Sequence, residues 1–210
     1  MRLKYYTRTA INEEWGTDAP VGTDWSFLPE EITSALKPNF LNVSQPPVGN
    51  LSVEGEEEEI QRILLLQECL NESDKSFIKE ADQNLPGVFY QWLTLRGLKP
   101  SMKNIKSFGL NEDQKEMITK IKEGVKRSRP FIKENQITNL CDDDSGYSYP
   151  SKTTAECYVM AERLSECYPE LREGLYVLAN KVATSRIQGG VHFPSDVEAG
   201  KSIAKGLLAK

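Results

Sequence analysis

Histidine is almost missing from this chain: His192 is the one imidazole in 210 residues. Chemistry that needs two imidazoles, such as a histidine-rich metal cluster or a paired histidine acid and base, must find its second group elsewhere. Cysteine is scarce too. Cys69, Cys141, Cys157 and Cys167 show no Cys-x-x-Cys spacing. Cys157 and Cys167 stand ten apart in one helical segment, about 15 Å along the axis, which is too far to bond each other. Buried thiols are expected, and neither a metal site nor a cofactor is indicated. Long apolar runs are absent: Ile63 to Leu66 is a run of four, far from the roughly 18 residues a bilayer span takes. Excess positive charge is lacking as well. A net charge of -5 and a pI near 5.2 exclude a general nucleic-acid binder. Met1-Arg2-Leu3-Lys4-Tyr5-Tyr6 has the basic start of an export signal but no apolar segment behind it. A cytosolic protein and one whose signal was removed both stay open. Three Asn-x-Ser matches, at Asn42, Asn50 and Asn71, are short enough to arise by chance.

What remains is ordinary globular material, 39% hydrophobic and 27% charged, enough for one sizeable core. Residues 1–55 read as an irregular arm. Pro20, Gly22, Pro29, Pro38, Pro46, Pro47 and Gly49 alternate with Trp15, Trp25, Phe27 and Phe40, a mix suited to lying over a core through its aromatics. A short helix at about 28–36 is the most it supports. Residues 56–210 read as a single helical domain. Glu56 to Glu59 suit a first helical turn better than a metal site, because the macrodipole favours acids there. Ile60, Ile63, Leu64, Leu66, Cys69 and Leu70 follow at helical spacing.

Further helices are expected near 73–83 and over 86–97, the latter stopped by Gly97 and Pro100. Asn111 with Gln114 forms a capping-box pattern ahead of Met117, Ile118, Ile121 and Val125. If that helix continues, Lys122 and Arg129, two turns apart, share a face; Pro130 closes or kinks it. Helices are then expected over 153–167, over 170–186 and from Pro194, a good first helical residue. No period-2 strand and no internal repeat stand out. The chain reads all-α.

A histidine beside a helix start is by itself a surface or capping residue. Three segments together change that. They are Lys122-x6-Arg129-Pro130, then Pro150-Ser151-Lys152-Thr153, then Ser185-Arg186-x5-His192-x3-Asp196. Their order and spacing resemble the three-part signature of the type 2 phosphatidic-acid phosphatase superfamily, especially the bacterial class A nonspecific acid phosphatases and their vanadate-haloperoxidase relatives. The first and third parts match fully. Phe193 to Gly200 looks like the family's continuation, and the likeness is specific over about residues 115–208.

The resemblance implies an all-α bundle of the acid phosphatase and vanadate haloperoxidase type, with phosphoryl transfer as its chemistry. Lys122, Arg129 and Arg186 would hold the non-bridging oxygens, with Ser151, Lys152 and the helix-start N–H groups completing the cradle. His192 would be the nucleophile and Asp196 would orient its ring. No metal and no cofactor is implied. The ligand would be a phosphorylated small molecule, inorganic phosphate or vanadate, in the periplasm or outside the cell, with a homo-oligomer left open.

The second part departs from the family's Pro-Ser-Gly-His. Lys152 replaces the glycine, and Thr153 replaces the histidine that serves as general acid. Such an acid is worth roughly 10²–10⁴-fold, and a threonine hydroxyl does not deliver a proton at useful pH. An acid among Asp142 to Asp144 is one substitute donor, without a geometric reason to prefer it. Many family members also carry a cysteine at the position of Gly189, so Cys141 would lack a partner if it is the other half of such a bridge. Two functions survive. One is a phosphatase restricted to leaving groups that need no proton. The other is a pseudo-phosphatase that binds phosphate or another oxyanion without turnover. A haloperoxidase comes a distant third.

Overall fold

The computed structural model describes residues 53–142 and 146–209, and no strand occurs among them. The arm expected over 1–55 and its short helix lie outside the described residues up to residue 52. The first helix, α1 (Val53–Glu68), starts three residues before the acidic run. The capping chemistry written locally in the sequence then sets several boundaries. Asn71 caps α2 (Glu72–Gln83): its side chain accepts from Asp74 N, and Asp74 accepts from Asn71 N in return. Asn84 caps α3 (Leu85–Thr94) through Gly87 N. A short α4 (Met102–Ser107) follows, which the apolar periodicity did not announce. Asn111 and Gln114 form the expected capping box at the start of α5 (Glu112–Val125).

Two expectations fail at helix ends. The third helix stops at Thr94 rather than 97, because Gly97 takes a left-handed φ of 80°. The helix carrying Lys122 stops at Val125, with Lys126 itself left-handed at φ 54°. Arg129 therefore does not share a helix face with Lys122. It lies in extended backbone just before a single turn, α6 (Pro130–Lys133), whose first-position proline favours that break.

The remaining elements are α7 (Lys152–Cys167), a 3-10 turn (Pro169–Leu171), α8 (Arg172–Gln188) and α9 (Pro194–Leu208). Helix α7 is the central rod and packs along both α8 and α9. On one side α2 and α3 cover α7 and α8, burying Phe89, Leu93, Met160, Leu164 and Leu175. On another side α5 covers α7 and α9, burying Ile118, Ile121, Val159 and Ile203. Helix α1 closes α8 and the start of α9 through Ile63, Ile187, Phe193 and Val197. Each such fully buried aliphatic is worth about 1.5–3 kcal/mol.

This packing brings three helix ends together: the start of α7, the end of α8 and the start of α9. Ser151 N donates to Asp196 O at 2.9 Å and ties the first of these to the third. Gly200 permits the approach, since a Cβ there would lie 2.5 Å from Ser151 O and 2.8 Å from Thr154 Cβ. Gly190, at φ 75°, turns the chain from α8 toward His192.

Candidate active site

The loop from α5 to α7 and the turn from α8 to α9 are stitched together around this junction. Lys122 Nζ donates to Tyr147 O at 2.6 Å and to Ser148 O at 3.1 Å, so the ammonium holds the loop just ahead of Ser151. Arg129 Nη1 donates to Val191 O at 2.8 Å, next to the histidine. His192 N donates to Arg186 O at 3.3 Å, folding the turn back on the end of α8. Ser151 caps α7, its hydroxyl oxygen accepting from Thr154 Oγ1 at 2.9 Å and from Thr154 N at 3.3 Å. Among the described residues the Ser151 O–H has no acceptor of its own. Lys152 is exposed and Thr153 half-buried at the same helix start.

Charge shows which groups converge. The buried Lys122 ammonium has its pKa pushed down to about 7, first by loss of water and then by the Arg129 cation. Asp196 opposes the shift, while Lys152 and Arg186 add to it. Four cations are thus close enough to feel one another, which a protein tolerates where an anion is expected. Arg186 is buried, with Nη2 paired to Asp82 Oδ1 at 2.6 Å. Its Nε and Nη1 are buried with no hydrogen-bond partner among the described residues. Buried donors left open in this way call for an explanation.

His192 is buried, and its pKa is pushed down to about 3. Burial is the main cause, Asp196 opposes it, and the Lys122 and Arg129 cations reinforce it. The ring is neutral at any ordinary pH, as a nucleophile has to be. Its Nδ1 lies 3.6 Å from Asp196 Oδ2, an electrostatic neighbour beyond hydrogen-bonding distance. The Asp196 carboxylate is instead held on both sides, Oδ2 accepting from Phe193 N at 2.8 Å and Oδ1 from Arg127 Nη1 at 2.8 Å. Burial acts to raise the Asp196 pKa, but the His192 ring and the Arg127 cation outweigh it and keep the pKa low.

All seven candidate residues, Lys122, Arg129, Ser151, Lys152, Arg186, His192 and Asp196, fall in this one region, with Thr153 beside them. Sequence reasoning missed three others. Arg127 is buried and bonds Asp196, Ser195 and Glu59. Glu59 of α1 also accepts from Ser195 N at 2.6 Å and from Ser195 Oγ at 3.0 Å. Asp82 of α2 holds Arg186 and accepts from Asp142 N at 3.1 Å. The one available hint was Arg127 itself, a second arginine two places before Arg129. The acidic run of α1, read as a helix start, supplies Glu56 and Glu59 to Arg127, and Glu56 pairs with Lys133 as well. Asp142 accepts from the Gln83 side chain, while Asp143 and Asp144 lie outside the described residues.

Cys157 is fully buried, Cys141 is buried, and Cys69 and Cys167 are exposed, so buried thiols hold for only two of the four. A Cβ on Gly189 would meet Cys141 Sγ at 2.8 Å. The two positions therefore adjoin as the halves of a bridge would, with glycine on one side. Among the described residues no group of three or more His, Cys, Asp or Glu side chains is placed to hold a metal ion. No helix there is long and apolar enough to cross a membrane.

A helical bundle with buried cations around one imidazole is the class the geometry defines. Comparison with known proteins narrows it: residues 114–209 match the model of the PAP2 superfamily. The chain is 35% identical over 103 residues to a non-specific acid phosphatase of Providencia stuartii, covering 47% of this chain and 42% of that protein. It is 28% identical over 141 residues to an acid phosphatase of Zymomonas mobilis, covering 62% and 53%. The chain thus spans about half the length of these relatives. The crystal structure of the first transmembrane PAP2 type phosphatidylglycerolphosphate phosphatase from Bacillus subtilis superposes with a TM-score of 0.55 at 18% identity. That likeness covers 86% of this chain and 92% of that one, and it is one of fold.

Proposed function

We propose that this chain is a metal-independent, acid phosphatase-like hydrolase that cleaves phosphate monoesters or anhydrides through a phosphohistidine at His192. The observation that carries the reading is the open buried charge. Arg186 presents two donors without partners among the described residues, beside a Lys122 ammonium crowded by other cations and one neutral imidazole. A phosphoryl group would satisfy all of them at once.

Lys122, Arg129 and Arg186 take the non-bridging oxygens, with the Ser151 hydroxyl, Lys152 and the N–H groups at the start of α7 beside them. The lone pair of the His192 ring forms the N–P bond while the P–O bond to the leaving group breaks, its electron pair departing on oxygen. Water then attacks phosphorus, the N–P bond breaks, and its pair returns to the ring. The charge is carried by side-chain cations, so the scheme calls on no metal. By the resemblance of the second segment, Thr153 takes the place of a general-acid histidine, so leaving groups stable as anions are preferred: aryl phosphates, acyl phosphates and pyrophosphate. The periplasm or the cell exterior fits the resemblance to bacterial acid phosphatases.

One observation favours a second reading, a pseudo-phosphatase that binds phosphate or another oxyanion. Both Asp196 oxygens are engaged elsewhere and its carboxylate stands 3.6 Å from the imidazole. A leaving-group series separates the two. The enzyme reading predicts p-nitrophenyl phosphate cleaved at least about 100-fold faster than an alkyl phosphate of similar size, the lower end of a missing acid's worth. Thr153→His should close that gap by speeding the alkyl ester. Equal rates on both esters contradict the missing-acid account, and no turnover with tight phosphate binding selects the pseudo-phosphatase.

A further inference from the structure

Lys152 takes the first position of α7, directly after the Ser151 cap. A cation there faces the positive end of the helix dipole, and no acid stands in that first turn to offset it. Glu156 lies one turn further along the same face, within reach of such a lysine. Its carboxylate is turned instead to Gly109, where a Cβ would meet Glu156 Oε1 at 2.5 Å. Among the described residues no carboxylate pairs with Lys152, and its side chain is exposed. It is nevertheless close to the pocket. Its charge acts on the Lys122 ammonium, and the neighbouring Ser151 N donates to Asp196 O at 2.9 Å, in the turn that carries His192. At the same junction Arg186, 3% exposed, leaves Nε and Nη1 without hydrogen-bond partners among the described residues. Positive charge thus runs from buried groups out to one solvent-facing cation at a helix start.

The geometry points to Lys152 as a specificity-determining residue: it binds the second phosphate of a diphosphate whose first phosphate lies on Lys122 and Arg186. The inference rests on the reading of that pocket as a phosphate site and deepens it by naming the substrate class, phosphoanhydrides with a phosphate leaving group. The step balances without a proton donor. The His192 lone pair forms the N–P bond as the bridging P–O bond breaks, and the electron pair leaves on the released phosphate, whose added charge the Lys152 ammonium meets. Water then attacks phosphorus, the ring recovers its pair, and the second phosphate is released. A fixed cation serves a leaving group that departs as a polyanion, and does little for one that departs with a single dispersed charge.

Pyrophosphate and p-nitrophenyl phosphate release groups of similar conjugate-acid pKa, so their rates compare leaving-group charge at matched leaving ability. The ratio of their kcat/KM values should fall about tenfold in Lys152→Met, the worth of one charge-assisted hydrogen bond. It should be largely kept in Lys152→Arg. Methylenediphosphonate, which is not cleaved, tests the same contact without turnover. Calorimetry should show it binding the wild type about tenfold tighter than inorganic phosphate does, with the advantage lost in Lys152→Met. An unchanged rate ratio, or a diphosphonate preference that survives Lys152→Met, overturns the inference and leaves the phosphatase reading in place. A preference that depends on Lys152 in a chain that cleaves neither compound keeps the second-phosphate site and removes the phosphatase reading. A wild type that binds neither phosphate nor the diphosphonate ends both.

Discussion

The helices before the superfamily segment and the segment itself divide the work unequally. Residues 114–209 carry every residue proposed to touch a phosphate: Lys122, Arg129, Ser151, Lys152, Arg186 and His192. The preceding helices carry acids that hold the site's arginines: Asp82 on Arg186, and Glu59 and Glu56 on Arg127. The matched segment supplies a cluster of cations, and the helices before it supply carboxylates that pair with two of its arginines. Buried cations are tolerated only when paired, so the difference teaches that the pocket depends on α1 and α2 although neither lies in the matched residues.

The largest break in this division should come from Asp82→Asn. It removes one partner of a buried pair whose Asp82 side chain is 13% exposed and whose Arg186 side chain is 4% exposed. Losing one member of such a pair costs about 3–5 kcal/mol, readable as a fall in unfolding free energy in urea. Saturating phosphate should restore more stability to the variant than to the wild type, because the anion replaces the missing carboxylate. A variant as stable as the wild type without phosphate would mean that α2 merely covers the site.

A smaller effect sharpens the comparison from the inner side. With its pKa near 7, Lys122 loses its proton as the pH rises through neutrality, and the pocket loses one of its cations. Inhibition by sulfate, whose charge is constant over this range, should weaken by about tenfold between pH 6 and 8. Stability should move the other way. A lysine pKa depressed in the fold means that the unfolded chain binds the extra proton between about pH 7 and 10, so this group's contribution to folding grows across that window. A sulfate affinity flat across neutrality would place the Lys122 titration outside the pocket's behaviour.

The all-α fold was legible because helix signals are local. Asn111 with Gln114, the stripe from Met117 to Val125, and Pro194 at a helix start each act within a turn or two of themselves. The candidate site residues were picked out by spacing, and the fold brings them into one region. Their supports were not, because Glu59 meets Ser195 across 136 positions and nothing in a run of four glutamates marks one as the brace of a distant arginine. The helix assumed to join Lys122 and Arg129 failed for a related reason. The left-handed turn at Lys126 lies just before the buried Arg127, whose contacts are tertiary and override a pattern that would otherwise continue the helix.

The central claim is that His192 carries the phosphoryl group. Acid-free quenching during steady-state cleavage of p-nitrophenyl phosphate, followed by mass spectrometry of the peptide spanning Ser185 to Asp196, tests it most directly. A base-stable, acid-labile phosphoryl adduct on His192 that forms and decays at least as fast as turnover is the predicted result. Turnover with no adduct at the chain's only histidine would contradict it.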